Sequence, residues 1–365
     1  MSELFIGLMS GTSMDGIDAA LVRFGRADID LIATQARPYP APLRERLLAA
    51  RQDTSLRTAG DVPDLDTAVG ECFRDAANAL LASAGIDAAD IVAIGSHGQT
   101  LRHEPAGEPP FTLQIGKPEV IVAGTRITTV ADFRAADIAL GGQGAPLAPA
   151  FHEWLFRRTG RRRIVLNIGG IANVTLLRGD ATATTGFDTG PGNTLLDAWT
   201  LKHKGQPCDR DGAWAATGTV DADLLSRLLR DPYFAAAAPK STGFEHFNLE
   251  WLERFGIAAL DPADVQATLC QLTAETIADA VFGEAEEVLA CGGGVHNVEL
   301  MRRLHTVLGD VPLQTTAVAG LDPDWVEAAA FAWLAMRTLA GLPGNLPSVT
   351  GAQREAVLGV VHRAV

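Results

Sequence analysis

The feature that most constrains the fold is a local pattern that occurs near the start of each half of the chain. In the first half, the apolar run 4–9 leads through a polar, glycine-containing turn into the apolar run 17–22. In the second half, the run 163–168 leads through a turn with two adjacent glycines into the run 174–177. Two apolar strands joined by a glycine-rich turn predict a hairpin. Because alternating strands and helices follow each hairpin, the sequence predicts two lobes of layered α/β structure.

The length of the chain agrees with two domains. It has 365 residues, and a domain usually contains roughly 100–200 residues. With 47% hydrophobic and 20% charged residues, the composition is that of a globular protein. No long linker separates the halves. We therefore place an N-terminal lobe at residues 1–131 and a C-terminal lobe at residues 132–365, whose last helix is free to return to the first lobe.

Charge and cysteine spacing exclude several classes of protein. The net charge of −14 argues against nonspecific binding to nucleic acid or to an anionic membrane, since both need a basic surface. The four cysteines are far apart and lack metal-type spacing. The first residues lack a basic region before a long apolar stretch, and no uncharged apolar run approaches the roughly 18 residues that a membrane span needs. We expect a cytoplasmic protein with reduced thiols.

The turn of the first hairpin, residues 11–18, is a candidate phosphate-binding loop. Glycines allow successive backbone N–H groups to point at phosphate oxygens, and Thr12 and Ser13 add hydroxyl donors. Asp15 and Asp18 are candidates to hold Mg²⁺ directly or through water. The alternative is a turn that is polar only because it is exposed.

Three further glycine-rich stretches follow predicted strands. Gly169 and Gly170 form the turn of the second hairpin. Asp188 lies between glycines in the stretch 186–193, as a general base with access to substrate would, although a turn or capping aspartate is the alternative. The three glycines 292–294 lie between a strand and a helix, where backbone can press against a phosphate or a planar ring.

Three side chains outside these stretches are candidates for substrate contacts. His97 follows a strand within Gly-Ser-His-Gly; a structural histidine is the alternative. Arg134 suits a bidentate pair with a carboxylate or phosphate, and an ion pair between the lobes is its alternative. Glu327 lies in the first turn of a late helix, where the helix dipole favours a carboxylate in any case. P-loop, dinucleotide-binding, zinc-protease and protein-kinase motifs are absent, and so is a nucleophile elbow.

Together these motifs resemble a known family. The order of hairpins, Asp-Thr-Gly stretch and late glycines is similar to that of actin-like ATPases and sugar kinases. The resemblance is closest to the anhydro-N-acetylmuramic acid kinase family and covers essentially the whole chain, although residues 202–262 are not diagnostic. The motifs that carry it are GTSMDGID at 11–18, GSHGQT at 95–100, DFR at 132–134 with GGQGAP at 141–146, NIGGIAN at 167–173 and FDTGPGN at 187–193.

The resemblance implies a two-lobed actin-like (ribonuclease H-like) ATPase fold with a central cleft. It implies a kinase of peptidoglycan recycling that opens 1,6-anhydro-N-acetylmuramic acid with water and phosphorylates the freed hydroxyl from MgATP, yielding N-acetylmuramic acid 6-phosphate. Asp188 is then the base that activates water, and His97, Arg134 and Glu327 hold the sugar, with Arg134 facing its lactyl carboxylate. The residues expected at the nucleotide are Gly11, Thr12, Ser13, Met14, Asp15, Gly16, Ile17, Asp18, Gly169, Gly170, Asn173, Gly293, Gly294 and Asn297.

The resemblance also implies ATP and Mg²⁺ as cofactors and, because the family is commonly dimeric, a homodimer. Two alternatives stay open at this point. One is an actin-fold sugar kinase in which Asp188 deprotonates an open sugar hydroxyl. The other is a non-catalytic protein of the same fold that ATP binding gates.

Overall fold

The computed structural model describes residues 3–25, 28–180, 182–238 and 240–364. Its strands are β1 (Leu4–Met9), β2 (Gly16–Phe24), β3 (Ile29–Pro38), β4 (Ile91–Ser96), β5 (Gln99–Glu104), β6 (Phe111–Ile115), β7 (Thr129–Ala131), β8 (Arg163–Ile168), β9 (Ile171–Leu177), β10 (Thr185–Pro191), β11 (Glu287–Cys291), β12 (Leu313–Thr315) and β13 (Val360–His362). Its α-helices are α1 (Ala41–Gln52), α2 (Pro63–Ala84), α3 (Pro118–Thr125), α4 (Ala135–Ala139), α5 (Ala148–Phe156), α6 (Thr194–Lys204), α7 (Ala222–Leu228), α8 (Pro232–Ala235), α9 (Leu249–Glu253), α10 (Pro262–Val281), α11 (Val298–Leu308), α12 (Val326–Leu339) and α13 (Pro347–Thr350). None of these helices is long and apolar enough to cross a membrane.

The chain forms two units. One comprises the residues up to Leu155 together with those from Trp325 onward, and the other is Phe156–Asp324. This division differs from the sequence-based boundary at residue 132, because residues 132–155 and α12 pack with the first unit. Helix α12 lies so close to β1 and β4 that a Cβ atom at Gly7 or Gly95 would collide with its backbone. Those two glycines therefore admit the helix to the first sheet.

The same strand order occurs in both units. The sheet of the first unit runs β13-β7-β4-β1-β2-β3, and that of the second runs β10-β9-β8-β11-β12. In each sheet the first three strands of the unit pair antiparallel, and the fourth pairs parallel with the first. The two hairpins predicted from the sequence are β1–β2 and β8–β9. This duplicated order is that of the actin-like, ribonuclease H-like ATPase fold, which confirms the predicted fold class.

The central strands are mainly apolar because both of their faces are covered. All residues of β1 after Leu4 are buried, and α2 and α12 contribute to the core of its unit. In the second unit, α10 buries most of its length against the sheet and against α6 and α11. Such strands read as continuous hydrophobic runs, which explains why they were visible in the sequence.

Strand register determines which turns lie side by side. Because β1 and β4 are parallel and Leu8 pairs with Ser96, the turn after β1 and His97 after β4 emerge from the same edge of the first sheet. In the second unit β8 and β11 are parallel and Asn167 pairs with Cys291. The turn at Gly169 and the glycines after β11 therefore share one edge as well. Ligands of open parallel sheets bind at the carboxyl ends of strands.

Candidate functional site

The base of the turn after β1 is fixed by two buried polar side chains. The Ser10 hydroxyl lies 2.7 Å from the Gly16 carbonyl oxygen and 2.7 Å from Oε1 of Gln99. The Gln99 amide donates to the Gly11 carbonyl oxygen at 3.1 Å. Gln99 is fully buried. The candidate phosphate loop is therefore anchored by hydrogen bonds to Ser10 and Gln99, which restrict its conformation.

His97 is held in a neutral form by two hydrogen bonds. Its Nδ1 lies 3.1 Å from the Ser10 carbonyl oxygen, so Nδ1 carries the proton. Its Nε2 accepts from Arg134, with Nη2 at 2.8 Å and Nε at 3.3 Å. Burial, with the neighbouring Arg134 charge, holds the pKa of His97 well below its usual range. Because both ring nitrogens are engaged, His97 orients Arg134.

Arg134 has a second anchor, which the sequence analysis missed. Its Nη1 donates to the Gly144 carbonyl oxygen at 2.8 Å. The N–H of Gly144 in turn donates to Oδ2 of the fully buried Asp137 at 2.7 Å. Oδ1 of Asp137 accepts from Asn345 at 2.6 Å and from Thr350 at 2.8 Å. Asp137 thus binds the 132–146 segment to the C-terminal part of the same unit, and the guanidinium is held by Gly144 on one side and by His97 on the other.

Glu327 lies close enough to this guanidinium for their charges to interact, and Asp18 lies close enough to Glu327 to act on its carboxyl group. The Glu327 residue as a whole is exposed, but the protein around its carboxyl group partly desolvates that group and thereby raises its pKa. The charge of Arg134 lowers this pKa, and the charge of Asp18 raises it. Burial lowers the pKa of Arg134 to about 10, so the guanidinium stays charged at neutral pH. The structure thus brings His97, Arg134, Glu327 and Asp18 together at one edge of the first sheet.

The Asp18 carboxylate is of a kind that fits a magnesium ion. Mg²⁺ prefers oxygen ligands and is usually held by one or two carboxylates, with substrate phosphates and water completing the set. No group of three or more histidine, cysteine, aspartate or glutamate side chains that could hold a metal ion occurs among the residues that the structure describes. Asp15 is the weaker of the two predicted ligands, because its exposed carboxylate pairs with Arg44 at 2.9 Å.

In the second unit, Asp188 lies in a polar row that crosses the sheet. Asp188 of β10 pairs with Asn173 of β9, and Asn173 pairs with Asn167 of β8. Residues directly opposite each other in an antiparallel ladder point to the same face, so the three side chains form one line. Asn173 was predicted at the nucleotide, and this register places it next to Asp188. Asn167 is an additional buried polar member of the row.

Most of the stretch 186–193 belongs to strand β10, and helix α6 begins directly after it at Thr194, whereas its glycines predict a loop. Residues 185–191 pair with β9, with an irregularity between Asp188 and Gly190. Gly190 adopts a φ of 152°, and a Cβ there would approach Phe234. The glycines are thus explained by close packing beside Asp188, while the strand holds its backbone more rigidly than a loop would.

Residues from the segment 231–245 surround Asp188. The Thr242 N–H donates to Oδ2 of Asp188 at 3.0 Å. The Asp188 N–H donates to the Lys240 carbonyl oxygen at 3.1 Å, and the Tyr233 hydroxyl donates to the Asp188 carbonyl oxygen at 2.7 Å. Burial raises the pKa of Asp188 to about 6, which the Thr242 N–H opposes and the Glu245 charge reinforces. A carboxylate with this pKa suits proton abstraction near neutral pH.

Sequence reasoning missed these contacts because two of the three use backbone atoms. Any residue supplies an N–H or a carbonyl, so Thr242 and Lys240 leave no local signature. The only nearby signal is the Asp-Pro pair at 231–232, which starts α8: Asp231 caps Tyr233 N–H at 2.9 Å. That cap orients the helix from which Tyr233 reaches Asp188.

The four glycines predicted at the nucleotide in the second unit differ in their surroundings. The carbonyl oxygens of Gly169 and Gly170 accept from the N–H groups that begin α6, which ties the hairpin turn to the end of β10. Gly294 packs so closely on Ile168 that a Cβ has no room. Gly293 has no atom within 4 Å of a Cβ position, so its face is open to a ligand.

Asn297 acts as a helix cap. Its Oδ1 accepts from the Leu300 N–H at 2.9 Å at the start of α11. The carboxamide oxygen is therefore engaged within the protein, and only its amide group is available toward the nucleotide. The prediction that Asn297 faces the nucleotide stays a prediction.

The duplicated strand order and the glycine turn at the first hairpin of each unit define the class of actin-like ATPases and sugar kinases. A family model described as anhydro-N-acetylmuramic acid kinase matches residues 3–364. The chain belongs to the anhydro-N-acetylmuramic acid kinase family.

Curated relatives agree along the whole length. The protein named anhydro-N-acetylmuramic acid kinase from Shewanella halifaxensis is 54% identical over 371 residues, with 100% of this chain and 99% of the relative covered. The one from Shewanella amazonensis is 55% identical, with 98% of each chain covered. Among solved structures, a ROK family glucokinase from Streptomyces griseus in complex with glucose and AMPPNP aligns over 90% of this chain and 99% of its own. That alignment has 15% identity and a TM-score of 0.38, so the fold assignment rests on the strand order.

Proposed function

We propose that this chain cleaves the anhydro bond of 1,6-anhydro-N-acetylmuramic acid with water and transfers the γ-phosphoryl group of ATP to the oxygen that is freed. The observation that carries the chemistry is the Asp188 carboxylate, with a pKa raised to about 6 and one oxygen held by the Thr242 N–H. A base of this strength is ionised at neutral pH and still accepts a proton readily.

The proposed reaction combines two bond changes: water opens the anhydro bond, and the freed oxygen takes the γ-phosphoryl group. Asp188 takes a proton from water while the water oxygen bonds to the anomeric carbon and the bond from that carbon to O6 breaks. The electron pair of the broken bond stays on O6, which attacks the γ-phosphorus, and ADP leaves. Phosphoryl transfer of this kind depends on in-line positioning and on neutralising the phosphate charge.

We assign the sugar carboxylate to Arg134. A guanidinium has five N–H donors, and the contacts with His97 and Gly144 leave donors for a bidentate pair with the lactyl carboxylate. His97 then acts through Arg134 by fixing the plane of its guanidinium. The Glu327 carboxylate is placed to accept a hydrogen bond from a sugar hydroxyl.

We assign the nucleotide to the glycine surfaces. The turn 11–16 offers backbone N–H groups to phosphate oxygens, and Gly293 offers an open face to the adenosine. Asp18 is the side chain that would hold Mg²⁺, which supplies charge neutralisation at the phosphates when bound. We place the protein in the cytoplasm, where ATP is available, and size-exclusion chromatography with light scattering tests the predicted homodimer.

Comparison of three proteins tests the proposal. ADP formation is measured with ATP and either the anhydro sugar or open N-acetylmuramic acid. The proteins compared are wild type, Asp188→Asn and the control Asp223→Asn, which changes an exposed aspartate of the same unit. We expect turnover of the anhydro sugar by wild type and control only. Turnover of the open sugar alone supports the alternative sugar kinase. An ATPase that no sugar stimulates and that Asp188→Asn leaves unchanged supports an ATP-gated binding protein.

A further inference from the structure

The turn between β1 and β2 directs its carbonyl groups toward the protein. The Gly11 carbonyl oxygen accepts from Gln99 and from the Met14 N–H. The Asp15 carbonyl oxygen accepts from the Tyr39 N–H, and that of Gly16 from the Ser10 hydroxyl. The carbonyl oxygens of the three residues between Gly11 and Asp15 accept from arginines of α1. Every carbonyl from residue 11 to residue 16 therefore has a donor.

Two arginines that lie about two turns apart on α1, Arg44 and Arg51, provide this outer contact. Arg51 Nη1 donates to the Thr12 carbonyl oxygen at 2.9 Å. Arg44 Nε donates to the Met14 carbonyl oxygen at 3.0 Å, and Arg44 Nη2 lies 3.4 Å from the Ser13 carbonyl oxygen. The same Nη2 lies 2.9 Å from Oδ1 of Asp15.

These contacts decide where the amides of the turn point. In a planar trans peptide, the C=O and the N–H of one unit point in opposite directions. With the Gly11 carbonyl turned to Gln99 and the Thr12 carbonyl turned to Arg51, the N–H groups of Thr12 and Ser13 are directed away from the protein. Neither N–H donates to another group among the residues that the structure describes. Two adjacent amides aimed outward form an anion-binding concavity.

The arginines also bring positive charge to a loop without a lysine. The stretch 11–18 contains no basic residue, and the chain has no P-loop. Arg44 and Arg51 sit behind the loop, where their charge polarises the peptide groups whose carbonyls they bind. This charge favours an anion at the opposite, amide side of the same peptides.

We propose that Arg44 and Arg51 are positioning residues that hold the carbonyls of the 11–16 turn and thereby aim the Thr12 and Ser13 amides at the nucleotide phosphates. The inference rests on the proposed function only in taking a nucleotide triphosphate as the ligand of this turn. Neither arginine touches the phosphates; both act through the backbone. Asp15 belongs to this clamp through its pairing with Arg44.

Direct binding measurements test the clamp without requiring sugar turnover. Calorimetric titration with AMPPNP and Mg²⁺ is carried out on wild type, Arg44→Ala, Arg51→Ala, Arg44→Lys and the control Arg46→Ala, an exposed arginine on the same helix. Loss of one or two backbone hydrogen bonds is expected to weaken binding about five- to twentyfold in the two clamp variants. Arg46→Ala is expected to bind like wild type.

The Arg44→Lys variant distinguishes the effect of the hydrogen-bond geometry of Arg44 from the effect of its positive charge. It keeps the charge but cannot bind Ser13, Met14 and Asp15 together, so we expect only partial recovery of affinity. Full recovery with lysine, or clamp variants that bind like Arg46→Ala, overturns the proposal. Thermal melting identifies a variant that fails to fold, in which case the other clamp position supplies the answer. In the kinase assay, KM for ATP is expected to rise while KM for the sugar stays constant.

Because nucleotide binding is measured directly, a failure of the proposed function can be distinguished from a failure of the clamp proposal. If wild type binds AMPPNP but does not turn over the anhydro sugar, the proposed function is wrong and the clamp is still tested by the affinities. If the sugar is turned over but the clamp variants bind the nucleotide normally, only the clamp is wrong.

Discussion

Replacement of Asp188 by asparagine should abolish activity and at the same time stabilise the fold. Ionised Asp188 is partly desolvated, and only the Thr242 N–H compensates it at the carboxylate, which is why its pKa is raised from 3.8 to about 6. Between these two pH values the folded state binds more protons than the unfolded state, so stability falls as pH rises through this range and is constant above it. Asparagine keeps an oxygen for the Thr242 N–H and removes the charge.

The structure sets the size of the effect. A difference of roughly two pH units corresponds to about 3 kcal/mol at neutral pH, and solvent access to the carboxylate reduces this to about 1–2 kcal/mol. For a domain of this size, the expected rise in Tm is about 3–6 °C. As the pH falls from 6 towards the unfolded pKa of 3.8, the aspartate of the folded state becomes protonated, and most of the difference between the two proteins should disappear.

Differential scanning calorimetry of wild type, Asp188→Asn and the Asp223→Asn control at pH 7.5 and near pH 4 measures this difference. A Tm of Asp188→Asn at or below that of wild type at pH 7.5 would refute the reasoning, because it would mean that the carboxylate is fully compensated in the fold. Loss of activity without the gain in Tm would leave Asp188 essential but not desolvated.

Three further outcomes follow from the same geometry. In wild type, kcat/KM for the sugar should fall about tenfold per pH unit below about pH 6, because the Asp188 base becomes protonated. Glu245→Gln should shift this fall in kcat/KM to lower pH, because it removes a charge that raises the pKa of Asp188. His97→Ala should raise KM for the sugar about tenfold without changing KM for ATP, since it releases the guanidinium that His97 orients; equal changes in both constants would contradict this role. Gly293→Ala should fold with unchanged Tm but bind the nucleotide more weakly. Gly294→Ala should lose about 1–3 kcal/mol of stability because its Cβ meets Ile168. Equal Tm values for these two variants would contradict the packing at Gly294.

The sequence predicts the strands and the glycine turns well because both leave local signals. Apolar runs such as 4–9 and 163–168 are continuous because the strands are covered on both faces. The stretch around Asp188 was taken for a loop because glycine and proline usually interrupt strands. Its pairing with β9 outweighs that preference, and the irregularity at Gly190 absorbs the strain.

The supports of the site are less visible in sequence than the residues they hold. Arg134 is prominent in a motif, but its anchor through Asp137 depends on Asn345 and Thr350, some 200 residues away. The same holds for Thr242, which reaches Asp188 with a backbone N–H across 54 residues. Long-range contacts of this kind follow only from the three-dimensional packing. The division of the chain is a third case, because residues 132–155 belong to the first unit and not to the second as the sequence predicts.

The most direct test of the central claim is the fate of water oxygen during turnover. The kinase reaction is run with ATP and the anhydro sugar in ¹⁸O-labelled water, and the product is analysed by mass spectrometry with fragmentation across the anomeric carbon. The account predicts one labelled oxygen at the anomeric position, none in the phosphate group, and no labelled product with Asp188→Asn. A phosphorylated product without label at the anomeric carbon would contradict the assignment of Asp188 as the base that activates water.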